Sequence, residues 1–548
     1  MRTVGTKGCT AWRASPTILG GGLCLGAAMK HLIVCCDGTW NSPQDETNVR
    51  RLHDALADQN ADGVQKTCYV SGIGTTGFVP VDVVAGAVGL GLDSKMVESY
   101  DFLARNYQHE DTDGRPDKIS LVGFSRGAYL ARNLAGLLTT YGLEPVPPGT
   151  GEADRTLAEN VYSAYHHNTD SATVWRRWFH RRFAHPVQVH FLGVWDTVGS
   201  LGIPAEFGIL DTLDASKYRF YNTRLSDRVM HARHAVALDE RRGPFAPTLW
   251  TPRVDANGST FRQVWFPGNH GSVGGSSREQ ASGAKTGCLS DVTLQWMVDQ
   301  AIECGIAFAR MQLTPEPTGN FRENLRSFYR YVNPHPRAVP QLTENKHDAT
   351  RGEIHESALQ RIKVVEGYRP QTALIGEPPQ AKALVMAREP WNDTGIWLTP
   401  GTYRMSAQGE WSDSGVRSGP SGTRTGGARL PALLRGGIRA LELLQAGIRV
   451  ATRDDQARVF GTRRVCTDSD GNVTPWMCLV GVIADGAIDP HTELQQPHTT
   501  FKIGDGLTGF EVFRPGYLYA FANDAWGFYF NNAGTVELTV HKLNLTHA

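Results

Sequence analysis

The chain has 548 residues, of which 41% are hydrophobic and 20% charged, and its 55 acidic residues balance its 55 basic residues. This composition is typical of a globular protein with more than one domain. It excludes a long disordered chain and gives no indication of a polyanionic partner such as nucleic acid. Because no apolar run reaches the length of about 18 residues that a membrane span needs, the sequence predicts no transmembrane segment.

The first 28 residues differ in character from those that follow. Arg2, Lys7 and Arg13 precede an apolar, glycine-rich run, a pattern that weakly resembles an export signal. Met29 stands directly before the first strand-like run and is an equally good start. We therefore predict that residues 1–28 are a disordered extension or a mis-assigned start, with an export signal as the alternative.

Residues 29–375 have the pattern of alternating strands and helices. Short apolar runs predict buried strands at 32–36, 118–122, 187–194 and 261–266, and longer runs predict helices at 93–107, 126–138 and 290–306. The glycine-rich run at 86–91 predicts a loop. Strands that alternate with helices indicate an α/β fold, with a mostly parallel sheet flanked by helices.

One serine lies in the context of a nucleophile elbow. Ser125 follows a strand-like run, precedes a helical run, and has a glycine two positions before it and another two positions after it. A tight strand-to-helix turn requires small residues at those places, and Gly123 and Gly127 meet this requirement. The N–H of Arg126, at the helix N-terminus, would face a developing oxyanion. We predict that Ser125 is the nucleophile and that Arg126 contributes one oxyanion donor.

A serine nucleophile needs a base, and the base needs a carboxylate that orients it. Asp196 and His270 each follow a strand-like run, and the three residues occur in the order Ser, Asp, His of the α/β-hydrolases. The carboxyl ends of parallel strands are where α/β folds place their active sites. The sequence therefore predicts a catalytic triad of Ser125, Asp196 and His270, with Asp239 and His355 as reserves.

A second oxyanion donor would come from another loop at the same edge of the sheet. Gly38 and Thr39 directly follow the first predicted strand. Because glycine has no side chain, a backbone N–H at this loop can approach a substrate closely. We predict that Gly38 and Thr39 complete the oxyanion hole, with an ordinary turn as the alternative.

The sequence pattern changes after residue 375. A polar stretch that contains prolines predicts a linker at 376–390. Short strand-like runs separated by Pro-Gly, Asp-Gly and Asn-Asn turns predict an all-β sandwich over 391–548. A helical run at 430–453 interrupts this pattern. We interpret it as an insertion that packs on the sandwich, with a membrane-surface helix as the alternative because the run contains several arginines.

Several motifs of the first part occur together in one family. They are Cys-Asp-Gly-Thr-Trp-Asn at 36–41, Gly-Ile-Gly-Thr at 72–75, the elbow at 123–128, the strand end at 191–197 and Leu-Ser-Asp at 289–291. Over residues 30–374 the chain resembles the α/β-hydrolase family whose studied members are type VI secretion phospholipase effectors. The resemblance implies a lipolytic esterase that uses Ser125, Asp196 and His270 and needs no cofactor in its hydrolase domain. Ser272 stands where most such relatives have an acidic residue.

The last part of the chain contains an Asn-rich loop with several potential metal ligands. Asp524, Asn531 and Asn532 place three side-chain oxygens in a short segment, which suits a hard cation such as Ca²⁺. Together with Gly-Pro-Ser-Gly at 419–422, these residues resemble the calcium-dependent galactophilic bacterial lectin. The resemblance implies that backbone carbonyls near Phe528 and Ser414 complete the shell and that sugar hydroxyls bind the metal. The alternative is a purely structural turn.

These observations together predict a serine hydrolase that cleaves acyl esters of lipids and carries a lectin-like targeting domain. Two alternatives stay open, namely a carbohydrate-ester esterase or deacylase, and a carbohydrate-binding protein with a silent hydrolase domain. The expected partners are a phospholipid or other acyl-ester substrate, a glycan and, from the resemblance, a secretion apparatus or an immunity protein. The resemblance also implies synthesis in a bacterial cytoplasm and delivery into a target cell, with action at membranes.

Overall fold

The structure is a computed structural model in which a large part of the chain is described. The described residues are 29–38, 46–72, 81–110, 114–143, 187–198, 225–242, 245–251, 255, 258–276, 288–320, 335–343, 348, 351–375, 379–423, 464–465, 473–487, 496–525 and 528–543. The N-terminal segment 1–28, Thr39 and the predicted helical insertion at 430–453 lie outside them.

The first part of the chain is built on a seven-stranded sheet in which every pair of neighbouring strands is parallel. The strand order is β2-β1-β3-β4-β5-β6-β7. The strands are β1 (Lys30–Cys36), β2 (Val64–Val70), β3 (Lys118–Phe124), β4 (Val189–Trp195), β5 (Val229–Ala237), β6 (Thr260–Phe266) and β7 (Glu353–Ile354). The predicted parallel sheet is therefore confirmed, and its carboxyl edge collects the residues that follow β1, β3, β4 and β6.

Helices cover both faces of this sheet. They are α1 (Asn48–Asp54), α2 (Val81–Asn106), α3 (Arg126–Tyr141), α4 (His270–Gly274), α5 (Leu289–Glu303) and α6 (Glu356–Val364). Successive residues of a strand point to opposite faces, so Leu32 and Val34 join the core beside α2 and α3, whereas Ile33 and Cys35 join the core beside α1 and α5. A strand buried on both faces is expected to be almost continuously apolar, as β1 is.

Helix α2 differs from the prediction at its start. The glycine-rich run at 86–91 was expected to form a loop, but it lies inside α2, which begins at Val81. Glycine lowers helix stability by about 1 kcal/mol per residue relative to alanine, a cost that the rest of a 26-residue helix can offset. None of the helices in the described ranges combines the length and the apolar character required to cross a membrane.

The second part of the chain is a β-sandwich. One sheet has the order β14-β13-β16-β10-β8 and the other has the order β12-β11-β17-β9, with β15 also paired to β11. The strands are β8 (Ala373–Leu374), β9 (Gln380–Met386), β10 (Asn392–Leu398), β11 (Gly401–Asp413), β12 (Val416–Ser418), β13 (Leu479–Ala484), β14 (Thr499–Lys502), β15 (Gly506–Val512), β16 (Gly516–Ala522) and β17 (Asn532–Leu543). Tyr403, Trp411, Leu518 and Leu538 contribute to the core of the sandwich.

The predicted linker at 376–390 is wrong for seven of its fifteen residues. Gln380–Met386 is strand β9, which pairs with β17 at the edge of one sheet. Even earlier, Ala373–Leu374 is strand β8 and pairs with β10. An edge strand is exposed on one side and carries polar residues, so its sequence resembles that of a connection. The sandwich therefore begins before residue 391.

The two parts of the chain share a hydrophobic cluster. Leu238 and Trp265 of the first part pack in the same cluster as Trp397, Tyr517 and Tyr519 of the sandwich. Buried polar bonds join them as well. The Arg369 guanidinium lies 2.8 Å from an oxygen of Asp239 and 3.6 Å from an oxygen of Asp393 in β10. Charges removed from water in this way are costly unless paired, so the arrangement fixes one domain against the other.

Buried histidines predict how stability changes with pH. Burial lowers the pKa of His31 and His234 to about 3 and that of His498 to about 4, because the imidazolium would lose its hydration. Below the unfolded pKa of about 6.5 the unfolded chain therefore binds protons that the folded chain does not. We expect the free energy of unfolding to fall by about 2 kcal/mol per histidine between pH 7 and pH 5.

This expectation is checked by urea unfolding at several pH values. The interval from pH 7 to pH 5 lies above the unfolded pKa of ordinary carboxylates, so most acidic residues contribute little to the change there. Asp524 is an exception, because its pKa is raised to about 6 and its protonation offsets about 1 kcal/mol of the fall. A free energy of unfolding that stays constant over this interval would contradict the assignment of these histidines as buried and neutral.

Candidate functional site

Ser125 occupies a sharp turn between β3 and α3. Its φ is 58° and its ψ is −122°, a strained conformation for a residue other than glycine. A Cβ atom on Gly123 would lie 2.7 Å from Ala128 Cα, and one on Gly127 would lie 2.5 Å from the Asp37 carbonyl oxygen. Both distances are shorter than a contact between nonbonded atoms can be. The two glycines are therefore required by the close approach of α3 to β3 and to the end of β1.

His270 is held against Ser125 at the start of α4. Its Nε2 lies 2.9 Å from Ser125 Oγ, and its Nδ1 lies 2.6 Å from Asp196 Oδ2. The imidazole packs against the rings of Phe124 and Phe245, with ring centroids 4.7 and 4.9 Å away. These two ring contacts help to hold the imidazole in one orientation. Each ring nitrogen thus has one partner, as a base between a hydroxyl and a carboxylate requires.

Asp196 follows the last residue of β4 and is fully buried, with a positive φ of 35°. The N–H of Ala237 donates to its Oδ1 at 2.9 Å. Burial alone would raise the pKa of Asp196, but Arg337 and His270 stabilise the carboxylate and hold this pKa well below its usual range. Asp196 is therefore ionised at neutral pH and can orient His270.

The structure thus brings Ser125, His270 and Asp196 into one hydrogen-bonded row. In this arrangement Nε2 of His270 can accept the proton of the serine hydroxyl as Oγ attacks a carbonyl carbon, while Asp196 stabilises the resulting imidazolium. Ser125 is half-buried, so its hydroxyl is within reach of a substrate. The geometry suits acyl transfer by way of a serine ester.

The predicted oxyanion donors have different positions. Arg126 is the first residue of α3, where the backbone N–H groups have no acceptor within the helix. The N–H of Gly38 instead donates to Asp37 Oδ1 at 2.7 Å, and Tyr69 and Thr47 donate their hydroxyls to the other oxygen of that carboxylate. A role for Gly38 as an oxyanion donor therefore stays a prediction that requires its N–H to turn away from Asp37. Thr39 lies outside the described residues.

Asp239 and His355, the two reserve residues for the triad, take no part in the hydrogen-bonded row. Asp239 accepts hydrogen bonds from the Gly268 N–H at 2.7 Å and from the Tyr368 hydroxyl at 2.6 Å. His355 caps the start of α6 and stacks on Phe266. Asp239 therefore supports the loop that carries His270, and His355 caps the N-terminus of a helix.

Two charged residues beside the row were not predicted from the sequence. The fork of Arg337 donates to both carboxylate oxygens of Asp196, at 2.7 and 3.0 Å. Glu240 accepts the N–H of His270 at 3.2 Å and pairs with Arg242. Burial would raise the pKa of Glu240, but Arg242 outweighs this effect and lowers it. Arg337 is 141 residues from Asp196 along the chain, and no local motif marks it.

A second polar cluster lies where β11 ends and β17 begins. Asn532 pairs with Asp413 across the two strands, and its Nδ2 donates to Asp524 Oδ2 at 2.9 Å. Asn531 Nδ2 donates to Asp413 Oδ1 at 3.0 Å and to Ser414 Oγ at 2.8 Å. Four of the five predicted metal-ligand residues, Ser414, Asp524, Asn531 and Asn532, thus converge. Asp413 joins them without having been predicted.

The cluster fits a cation of the Ca²⁺ type. The Oδ1 atoms of Asn531 and Asn532 are buried and have no hydrogen-bond partner, which is a costly arrangement unless a ligand satisfies them. Burial raises the pKa of the Asp524 carboxyl to about 6. The Phe528 carbonyl accepts the N–H of Asn531 at 3.3 Å and keeps a second lone pair. In the described part of the chain, His, Cys, Asp and Glu do not gather in threes to form a metal site, so a cation here would depend on amide and carbonyl oxygens in addition to the Asp524 carboxylate.

Comparisons with known proteins bear on the first part of the chain. Residues 30–300 match the family described as T6SS, phospholipase effector Tle1-like, catalytic domain. An uncharacterized protein of Saccharomyces cerevisiae is 31% identical over 248 residues, which cover 41% of this chain and 33% of the yeast protein. This chain thus spans about a third of that curated relative.

Two solved structures are similar in part. The Tle1 effector bound to the VgrG spike from the type 6 secretion system is 18% identical, with a TM-score of 0.27, over 45% of this chain and 51% of that one. The EclA N-terminal domain, a PllA-like lectin, is 14% identical, with a TM-score of 0.17, over 30% of this chain and 99% of that one. The sequence motifs and the family match together identify residues 30–300 as a catalytic domain of the Tle1-like phospholipase effector family.

Proposed function

We propose that this chain is a serine hydrolase that cleaves acyl esters of lipids and acts as a type VI secretion effector. The hydrogen-bonded row of Ser125, His270 and Asp196 is the observation that carries the proposal. The family match over residues 30–300 supports a phospholipid as the substrate, a target cell as the destination and the type VI secretion apparatus as a partner.

The proposed reaction proceeds by way of an acyl-enzyme. Ser125 Oγ attacks the ester carbonyl while His270 Nε2 takes the hydroxyl proton, and the same imidazolium then protonates the leaving alcohol. The N–H of Arg126 donates to the oxyanion. Water, deprotonated by His270, finally hydrolyses the acyl-serine and releases the fatty acid. Asp196 remains ionised throughout and stabilises the imidazolium.

The test is fatty-acid release from mixed phospholipid vesicles by the wild type and by Ser125→Ala, together with labelling by a fluorophosphonate. We expect the wild type to be labelled and to release fatty acid, and we expect Ser125→Ala to lose both properties. Ser290→Ala serves as a matched control, because Ser290 is buried at the start of α5 and takes no part in the row. Labelling without lipid cleavage would favour a carbohydrate ester as the substrate. A folded wild type without labelling would favour a silent hydrolase domain.

We further propose that the sandwich binds Ca²⁺ through Asp524, Asn531 and Asn532 and, with it, a glycan of the target surface. The two partnerless amide oxygens support this proposal. Once bound, the cation would supply positive charge for sugar hydroxyls. The side chains of this chain would position it, and the carbonyls of Ser414 and Phe528 would complete its shell. A glycan array with and without a chelator tests the sugar.

Calcium binding should depend on Asp524 and on pH. We expect calcium to raise the melting temperature of the wild type, whereas magnesium has a smaller effect because it needs a more regular and compact shell. Asp524→Asn should abolish the shift, since it removes a charged ligand. Because the pKa of Asp524 is raised to about 6, affinity should fall about tenfold per pH unit below pH 6.

The matched control is Asp505→Asn, which changes an exposed aspartate of the same sandwich. Calcium should stabilise this variant as much as the wild type. An equal thermal shift in Asp524→Asn and in Asp505→Asn, or no shift in the wild type, would contradict the proposed calcium site.

A further inference from the structure

We infer that Arg337 is a positioning residue of the hydrolase site and that the C-terminal sandwich holds it in place. This inference rests on the proposed hydrolase function. The residues concerned form a segment that we call the strap, residues 335–343, which passes between the catalytic sheet and the sandwich. The strap lies outside the residues that match the phospholipase family.

Arg337 fixes the plane of the Asp196 carboxylate. Its guanidinium donates to Asp196 Oδ1 at 2.7 Å and to Oδ2 at 3.0 Å, and it also donates to the carbonyls of Ala237 and Phe245, each at 2.6 Å. A planar fork bound to both oxygens of a carboxylate prevents the carboxylate from rotating. Asp196 Oδ2 therefore stays directed at His270 Nδ1, which it bonds at 2.6 Å.

Arg337 also compensates the negative charge of Asp196, which is buried away from water. Asp196 is fully buried and Arg337 is 5% exposed. Among the residues that the structure describes, the ion-pair partners of this carboxylate are Arg337 and His270, so His270 alone remains without the guanidinium. His270 is charged only while it carries the extra proton. A buried carboxylate with too few donors either takes up a proton or turns toward another donor. Either change would remove the acceptor that orients His270 for Ser125.

The sandwich secures the strap at both ends. His498 Nε2 donates to the carbonyl of Pro336, the residue before Arg337, at 2.7 Å, while its Nδ1 accepts the N–H of Gly486 at 3.1 Å. Near the other end, the N–H of Leu342 donates to the Tyr517 hydroxyl at 2.7 Å. His498 and Tyr517 both belong to the sandwich. The second domain therefore helps to build the catalytic site of the first, in addition to any targeting role.

The test compares Arg337→Gln and Arg337→Lys with Arg262→Gln, a control that removes a half-exposed arginine paired with Glu353 at the other end of β6. Hydrolysis of a soluble short-chain ester gives kcat and KM, and fluorophosphonate labelling gives the rate of attack by Ser125. We expect Arg337→Gln to lower kcat and the labelling rate on the order of 100-fold with KM nearly unchanged. Arg337→Lys should recover only part of the loss, because it restores the charge without the fork.

A second readout does not depend on turnover. The proton between His270 Nδ1 and Asp196 gives a low-field NMR resonance when that bond is short and ordered, and it should disappear in Arg337→Gln but persist in Arg262→Gln. If no ester is cleaved by any form, the proposed function fails, and the resonance alone then decides whether Arg337 positions the pair. A folded Arg337→Gln that keeps both kcat and the resonance would overturn the inference.

If Arg337→Gln does not fold, Tyr517→Phe provides the test. This change removes one hydroxyl from the sandwich and leaves every group of the catalytic row in place. We expect kcat to fall several-fold with KM unchanged and the low-field resonance to weaken. Wild-type values of kcat and an unchanged resonance in Tyr517→Phe would show that the sandwich does not hold the site.

Discussion

Replacing Ser125 by glycine should abolish ester hydrolysis and yet give a more stable protein than replacing it by alanine. Both variants lose the nucleophile, so activity should fall on the order of 10⁴-fold in each. Both also lose the hydrogen bond to His270. Only glycine accepts a φ of 58° and a ψ of −122° without strain, so Ser125→Gly should exceed Ser125→Ala in free energy of unfolding by about 1 kcal/mol.

The order of these two stabilities is the informative measurement. At most positions a glycine variant is less stable than the corresponding alanine variant by about 0.5–1 kcal/mol, because glycine loses more backbone entropy on folding. Urea unfolding of the two variants under the same conditions gives the difference directly. If Ser125→Ala proves the more stable variant, the turn at Ser125 is not strained, and the elbow geometry is wrong.

A methyl group at Gly127 should damage both stability and activity. In an ordinary helix, alanine is favoured over glycine by about 1 kcal/mol. Here the new Cβ would lie 2.5 Å from the Asp37 carbonyl oxygen and still closer to that of Cys36, and both belong to backbone that cannot rotate away. We expect Gly127→Ala to lower the free energy of unfolding by at least about 2 kcal/mol. The helix would have to move, so kcat should fall on the order of 100-fold.

Gly506→Ala is the matched control for this prediction. Its Cβ would lie 3.7 Å from the nearest heavy atom, which is an ordinary contact. We expect the free energy of unfolding of this variant to stay within about 0.5 kcal/mol of the wild type, with unchanged activity. Equal stabilities for Gly127→Ala and Gly506→Ala, measured by urea unfolding, would contradict the tight packing of α3 against β1.

The candidate triad residues were recognisable in the sequence because Ser125 and Asp196 directly follow strand-like runs and His270 follows another within four residues. Parallel strands end at one edge of a sheet, so residues that follow different strands meet there even when they are far apart along the chain. The glycines around Ser125 were recognisable for a related reason, since a local turn requires them. The same reasoning located Asp524, Asn531 and Asn532, which lie within nine residues of one another in the chain.

Some features escaped sequence reasoning because nothing local marks them. The run at 86–91 resembles a loop in its glycine content, but it lies inside the 26-residue helix α2. Strand β9 resembles a linker because it lies at the edge of a sheet. Asp413 became visible only when β11 and β17 were paired, since that pairing places it opposite Asn532.

The sequence by itself determined the α/β sheet, the elbow at Ser125 and the strand-end positions of Asp196 and His270, because periodicity and turn chemistry act over a few residues. Only the tertiary structure decided that Arg337 pairs with Asp196 and that His498 and Tyr517 of the sandwich hold the strap. Those contacts join residues more than 140 positions apart in the chain. They form because a buried carboxylate and buried backbone groups must find partners wherever the folded chain supplies them.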